Sequence, residues 1–217
     1  MNRSLSLPFI LCIILVFIDQ GLKIWVKSNF ALGESLEITP WFKIHFTENP
    51  GMAFGIEWGG VIGKYILSSF RIFAILGIVW YMFRLAKGGA SKFVLISMSF
   101  VLAGALGNVI DSLLYGLIYN KGLVYNNMYS QWVMYPGIAK LNFEGYAPVL
   151  LGNVVDMLYF PFWKGVLPEW LPFWGGEYFI FFRPIFNIAD SCVFIGVILL
   201  YLSSRKPESW SSHNSTS

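Results

Sequence analysis

Four apolar stretches, at about 7–27, 62–84, 93–114 and 184–203, are each long enough to cross the hydrocarbon core of a bilayer, which takes roughly 20 helical residues at about 1.5 Å of rise each. Nothing else in the chain restricts its fold as much. Only 12% of the 217 residues are charged and 56% are apolar, a balance that points away from a soluble domain. The expected fold class is an all-α membrane protein with four transmembrane helices. It forms one membrane-embedded domain over residues 1–203, with a polar tail at 204–217.

Arg3 ahead of the first run would suit a cleaved signal peptide. No small-residue cleavage site follows, however, and Asp19, Gln20 and Lys23 continue a helical spacing, so this span is expected to stay. Basic residues set the orientation. Arg3 precedes span one, Arg84, Lys87 and Lys92 join spans two and three, and Arg205 with Lys206 follow span four. The positive-inside rule puts these three segments, and so both termini, in the cytoplasm. Residues 28–61 and 115–183 then face outward. The net charge of +3 follows from this topology and carries no sign of nucleic-acid binding.

The outward segments are expected to hold the non-helical structure. Trp41 to Phe46 alternates loosely, as a strand does, and Asn49-Pro50-Gly51 marks a turn. Gly55 permits unusual backbone angles, and Trp41, Phe42, Phe46, Phe54 and Trp58 suit a membrane interface. A small extracytoplasmic β-rich segment follows from this. Residues 116–150 are rich in Tyr, Asn and Gly and contain no spanning run, which makes them an outer insertion. Residues 160–182, dense in Trp, Phe and Pro, read as an interfacial element in place of a fifth crossing.

The chemistry lies in the acids. All four aspartates, Asp19, Asp111, Asp156 and Asp190, sit in or against apolar runs, whereas the eight glutamates fall in polar connections or the tail. Burial costs the two residue types alike, so the sorting points to a task. Asp190, a few residues inside the fourth run, could merely cap its helix or pair with Arg183. Asp19 and Lys23, four apart, share a helix face and could be a structural pair or part of a site. Asn108 and Asp111 share a face of span three, where Ala103, Gly104, Ala105 and Gly107 admit a close neighbour. Arg71, inside span two, needs a carboxylate or carbonyl partner. Gly152–Asp156 (GNVVD) echoes Gly107–Asp111 (GNVID), a match short enough to be chance or convergence. Cys12 and Cys192 read as small buried hydrophobes. With His45 and His213 they make neither a metal site nor a Cys/His nucleophile pair, so no cofactor or metal is expected.

Two aspartates brought close cannot both ionise easily, which leaves one carboxylate and one carboxylic acid. Such a pair can deprotonate a water while donating a hydrogen bond to a carbonyl oxygen, as peptide hydrolysis requires. Intramembrane aspartates also serve ion and proton pathways, so a small transporter or channel is the alternative, and a non-catalytic scaffold a third reading. A transporter would be expected to carry acids at several depths and in repeated halves. Here they cluster near one face.

FIDQGLK, TENPGMAFG, GALGNVIDS, VVDMLYF and FNIADS occur in that order across the four spans. Together they resemble lipoprotein signal peptidase, the bacterial type II signal peptidase, over roughly residues 7–203. The resemblance implies an intramembrane aspartyl protease of the inner membrane that cuts diacylglyceryl-modified prolipoproteins just before the lipidated cysteine, near the outer face. It implies membrane lipid as a second partner, a monomer, and inhibition by the cyclic peptide globomycin. Matched motif by motif, the catalytic pair is Asp156 and Asp190. Asp19, Lys23, Asn49, Gly107, Asn108, Asp111, Asn187 and Ala189 correspond to positions that shape the pocket or contact substrate.

The chain departs from the family pattern twice. An arginine usually follows the aspartate of GNxxD, where this chain has Ser112, and Arg71 or Lys23 is expected to take its part. Asp111 and Asp156 also lie 45 positions apart, farther than is usual, so Asp111 competes with Asp156 as the partner of Asp190, with VVDMLYF the better match.

Overall fold

The computed structural model describes residues 3–51 and 59–204. Phe54, Gly55 and Trp58, the basic pair Arg205 and Lys206, His213 and the polar tail lie outside the described residues. Four helices form the frame: α1 Arg3–Asn29, α2 Gly60–Lys87, α3 Lys92–Ile118 and α4 Ile188–Ser204. The first three are long and apolar enough to cross a membrane, while α4 has only 17 residues. Its shortening relative to the 184–203 run has a local cause. Pro184 disfavours helix at the residue before it, and Ile185 and Phe186 give their backbone groups to a sheet, so the helix starts after Asn187.

Helix α3 is the centre of the frame, with half of its apolar window buried against 11% for α2. It meets α4 nearly backbone to backbone: a Cβ on Gly104 would strike the carbonyl oxygen of Ala189, and one on Gly196 would come within 2.9 Å of the Ser97 carbonyl oxygen. Small residues at such crossings let helices pack where lipid offers no hydrophobic drive. On the outer faces Phe17, Phe70, Phe73 and Trp80 are largely exposed, a costly surface in water and an ordinary one against acyl chains.

Beside the helices, as the expected β-rich segment allowed, the described residues form eight strands, more than the one strand read from the sequence. β1 (Ser35–Thr39) and β2 (Phe42–Asn49) are followed by the hairpin β3 (Val124–Asn126) and β4 (Gln131–Val133). Then come β5 (Val154–Tyr159), the hairpin β6 (Trp163–Val166) and β7 (Tyr178–Phe181), and β8 (Ile185–Phe186). An antiparallel sheet in the order β1-β2-β5-β8 joins segments from three distant parts of the chain. The WFKIHF strand is present, but periodicity of one stretch could not reveal its partners.

Where α3 meets this sheet it takes a π turn over Asp111–Tyr115. Such a turn disturbs the regular i→i−4 ladder, and here the Ser112 carbonyl accepts from Gly152 N at 3.0 Å. A side chain at Gly152 would collide with the Asp111 carbonyl oxygen. The two GN-x-x-D segments thus differ in structure, one a helix and the other a loop entering a strand. They touch without being repeats.

Candidate active site

Helix α1 presents Asp19, Lys23 and Lys27 at four-residue intervals toward the interior, all three at most 2% exposed. Lys23 Nζ is fully engaged. It pairs with Asp19 at 3.0 Å and Asp111 at 2.8 Å and donates to Asn108 Oδ1 at 3.0 Å. Asp111 also accepts from Gln20 Nε2 at 2.8 Å and from the Val155 backbone N–H at 3.1 Å, tying α3 to β5. Asp19 Oδ1 accepts from Ala189 N at 2.9 Å, placing a carboxylate at the positive end of α4.

Asn187 and Asp190 form a reciprocal N-terminal cap. Asp190 N donates to Asn187 Oδ1 at 2.8 Å, and Asn187 N donates to Asp190 Oδ2 at 3.2 Å. Asp190 is therefore a capping residue, as its position allowed, and it makes no ion pair with the exposed Arg183. Its other oxygen accepts from Asn108 Nδ2 at 2.9 Å. Asn187 Nδ2 donates to Asp156 Oδ1 at 2.7 Å and to Asn108 Oδ1 at 3.1 Å. One asparagine thus touches both Asp156 and Asp190 and ties them to the Lys23 cluster.

The two candidate partners of Asp190 differ sharply. Asp111 is saturated by a cation, an amide and a backbone N–H. Asp156 holds one hydrogen bond through Oδ1, and its Oδ2 has none among the described residues. Burial, and next the neighbouring Asp190 carboxylate, push the Asp156 carboxyl up to about 8, against the opposing pull of Lys23 and the Asn187 amide.

Nine of the ten residues singled out from sequence belong to this cluster. Gly107 owes its place to space: a Cβ there would lie 2.7 Å from Asp19 Oδ2 and 2.8 Å from Ala189 Cβ. Gly107→Ala is expected to lower thermal stability in detergent by about 1–3 kcal/mol, the usual cost of overpacking, and to lower activity as Asp19 is displaced. An unchanged melting temperature would show that α3 and α4 can part without cost. Asn49, the tenth, stands at the end of β2 opposite Val154 and accepts from Gly51 N at 2.8 Å.

Sequence reasoning missed three things. Gln20 binds Asp19, Asp111, the Gly107 carbonyl and Tyr115, although it stood in the quoted FIDQ run. Glu48, grouped with the polar-segment glutamates, is buried and paired with Lys27. It also accepts from Asn153, Tyr135 and the Leu123 N–H. Tyr119, Tyr135 and Tyr146 pack their rings 4.9–5.6 Å from Lys27 Nζ. The 116–150 insertion therefore closes over a second buried ion pair. The 19, 23, 27 spacing was the available signal for it.

The profile of the family described as signal peptidase (SPase) II matches residues 11–206. A lipoprotein signal peptidase of Porphyromonas gingivalis is 46% identical over 193 residues, covering 88% of this chain and 79% of that one. One from Amoebophilus asiaticus is 38% identical over 201 residues, covering 90% and 76%. A solved bacterial membrane enzyme superposes with a TM-score of 0.58 at 25% identity, covering 93% of this chain and 94% of its own. By this agreement, which extends over nearly all of the sequence, the chain belongs to the signal peptidase II family of aspartic proteases, the enzymes that cleave signal peptides from prolipoproteins.

Proposed function

We propose that Asp156 and Asp190 are the catalytic pair of this peptidase and that Asp111 is a buried structural acid. The observation that carries this reading is the double role of Asn187, which holds Asp156 through its side-chain amide and Asp190 through the helix cap. The pair shares one proton. The ionised member takes a proton from a water that attacks the scissile carbonyl carbon, while the protonated member donates to the carbonyl oxygen. The same proton inventory then serves the leaving amine. Asp19, Lys23, Gly107, Asn108, Asp111, Asn187 and Ala189 set the geometry of the pair, and Asn49 lines the approach to it.

The substrate is a diacylglyceryl-modified prolipoprotein cut before its lipidated cysteine. Four spans cross the inner membrane with both termini in the cytoplasm, and the sheet and the acid pair lie toward the outer face. Residues 1–203 act as one domain, working as a monomer, with 204–217 a cytoplasmic tail. The exposed Trp163, Trp170, Phe173 and Trp174 of the β6–β7 hairpin seat it among lipid headgroups. Membership of a peptidase family leaves the transporter reading without support.

A pH–rate profile on a lipidated prolipoprotein tests the shared proton. With the Asp156 carboxyl raised to about 8, the pair keeps its single proton through neutral pH and loses it above. The value of kcat/KM should therefore fall as pH rises through about 8, close to tenfold per pH unit. A profile flat to pH 10 with the fold intact would remove the proton-sharing pair.

A further inference from the structure

The hairpin β6–β7 continues the β5–β8 strand pair past Pro161 and Pro184, and its connecting loop, 167–177, is held in one shape. The Leu167 N–H donates to the Glu177 carbonyl at 2.9 Å and the Gly176 N–H to the Leu167 carbonyl at 3.0 Å, which closes the loop at its base. Within it the Gly175 N–H donates to the Leu171 carbonyl at 3.0 Å, and a Cβ on Gly175 would lie 2.5 Å from the Glu169 carbonyl oxygen. Phe173, 96% exposed, takes a left-handed φ of 72°. A phenylalanine held at that angle in an exposed loop is a cost that a working site can account for. The loop and β7 border a cavity of about 250 Å³ lined by Leu167, Leu171, Trp174, Glu177, Tyr178 and Phe179. Glu177 is the one charged residue of that lining, and its carboxylate makes no hydrogen bond or ion pair with any described residue.

We infer that this cavity binds the primary-amine headgroup of a zwitterionic phospholipid, an ethanolamine-type lipid of the membrane the enzyme sits in. Aromatic rings attract a cation, and a primary ammonium with three N–H donors needs the acceptor that Glu177 leaves free. An ethylammonium arm, three heavy atoms at about the 30 Å³ that a water takes up, fills less than half of the space, and the phosphate stays at the mouth. The lining excludes other ligands. A bare acyl chain would strip water from the carboxylate, an anion would be repelled by it, and one carboxylate among rings is too few oxygens for a calcium or magnesium ion. Trp163, Trp170 and Phe173, all exposed, hold the loop in the layer where such headgroups lie. The site rests on that seating of the hairpin, proposed above, and not on which acids form the catalytic pair. Its consequence reaches them nonetheless: the hairpin grows from β5, which carries Asp156, and returns through β8 to Asn187, so a bound headgroup fixes the height of both strands at the membrane.

The test titrates the purified full chain in detergent with phospholipid and follows the bound lipid by native mass spectrometry. One phosphatidylethanolamine should be retained about tenfold more tightly than phosphatidylglycerol or N-acetylated phosphatidylethanolamine, the size of one cation contact with rings and a carboxylate. Glu177→Gln and Trp174→Leu should each remove that preference with the melting temperature unmoved. Glu169→Gln, in the same loop but not in the lining, should keep it. Equal retention of the three lipids by the wild type, or a preference that survives Glu177→Gln, would overturn the proposal. So would displacement of the lipid by a lysine-containing prolipoprotein peptide, which would make the ligand a basic residue of the substrate. A nitroxide on Phe173→Cys in vesicles separates this site from the reading it rests on. A label in bulk water would remove the seating of the hairpin and the site with it, whereas a label at headgroup depth without any amine preference would remove the site alone.

Discussion

Asp156→Asn and Asp190→Asn should each lower the rate of signal-peptide release by at least about 10³- to 10⁴-fold, at the upper end of what a positioned acid or base contributes. Neither amide can take a proton from water at neutral pH, and replacing either acid ends the exchange between the two. Their effects on stability should differ. Asp156 is buried, holds a single hydrogen bond through Oδ1 among the described residues and is pushed toward its neutral form, so an amide of the same shape leaves the fold as stable or makes it more so. Asp190 also accepts the Asn187 N–H at the start of α4. Asparagine leaves one acceptor oxygen for both the Asn187 N–H and the Asn108 amide, so one of these two hydrogen bonds is lost, at about 1 kcal/mol. Release of the peptide followed by gel, beside thermal unfolding in detergent, separates loss of chemistry from loss of fold. Cleavage near the wild-type rate in either variant would remove that residue from the pair.

The combined loss expected of the double variant is no larger than that of either single one, since the two acids act as one unit. Asp111→Asn should behave otherwise. Its carboxylate answers Lys23, Gln20 and the Val155 N–H, so its replacement should destabilise the junction of α1, α3 and β5 and lower activity only through that.

The acids were legible because aspartate inside an apolar run is conspicuous, and the helices because length and hydropathy define them. From the residues alone GNVID and GNVVD look alike as strings, and only the family resemblance, through VVDMLYF, favoured Asp156 over Asp111 as the partner of Asp190. Only the fold makes one a helix face saturated by Lys23 and the other a strand facing Asp190. The sheet was hidden for a related reason. Its central contacts join residues 42–49 with 154–159 and 185–186, and pairing across such separations leaves no periodic trace within any one segment. Glu48 shows the limit of sorting by residue type, because a carboxylate in a polar-looking stretch became buried once Lys27 and three tyrosines closed around it. The fourth span was read as starting four residues too early because hydropathy cannot distinguish an apolar strand end from the helix it leads into.

Lys23→Met is expected to cost about 3–5 kcal/mol, more than any other single change considered apart from its effect on chemistry. Both carboxylates it serves are buried, at 2% and 0% exposure, and methionine fills the same space without offering a charge. Removing one partner of a buried pair is far more damaging than removing the whole pair, because the charge left behind has neither water nor a counter-ion. Gln20 and the Ala189 and Val155 N–H groups would remain on the two acids, which is too little to offset two stranded charges. At about 2–4 °C per kcal/mol for a chain of this size, the melting temperature should fall by roughly 10 °C. Adding Asp111→Asn to Lys23→Met should restore part of it, since the double change removes one of the stranded carboxylates. Should the two substitutions instead add without interaction, Lys23 and Asp111 would not be acting on each other, and the ionic joint between α1 and α3 would have to be sought in packing alone.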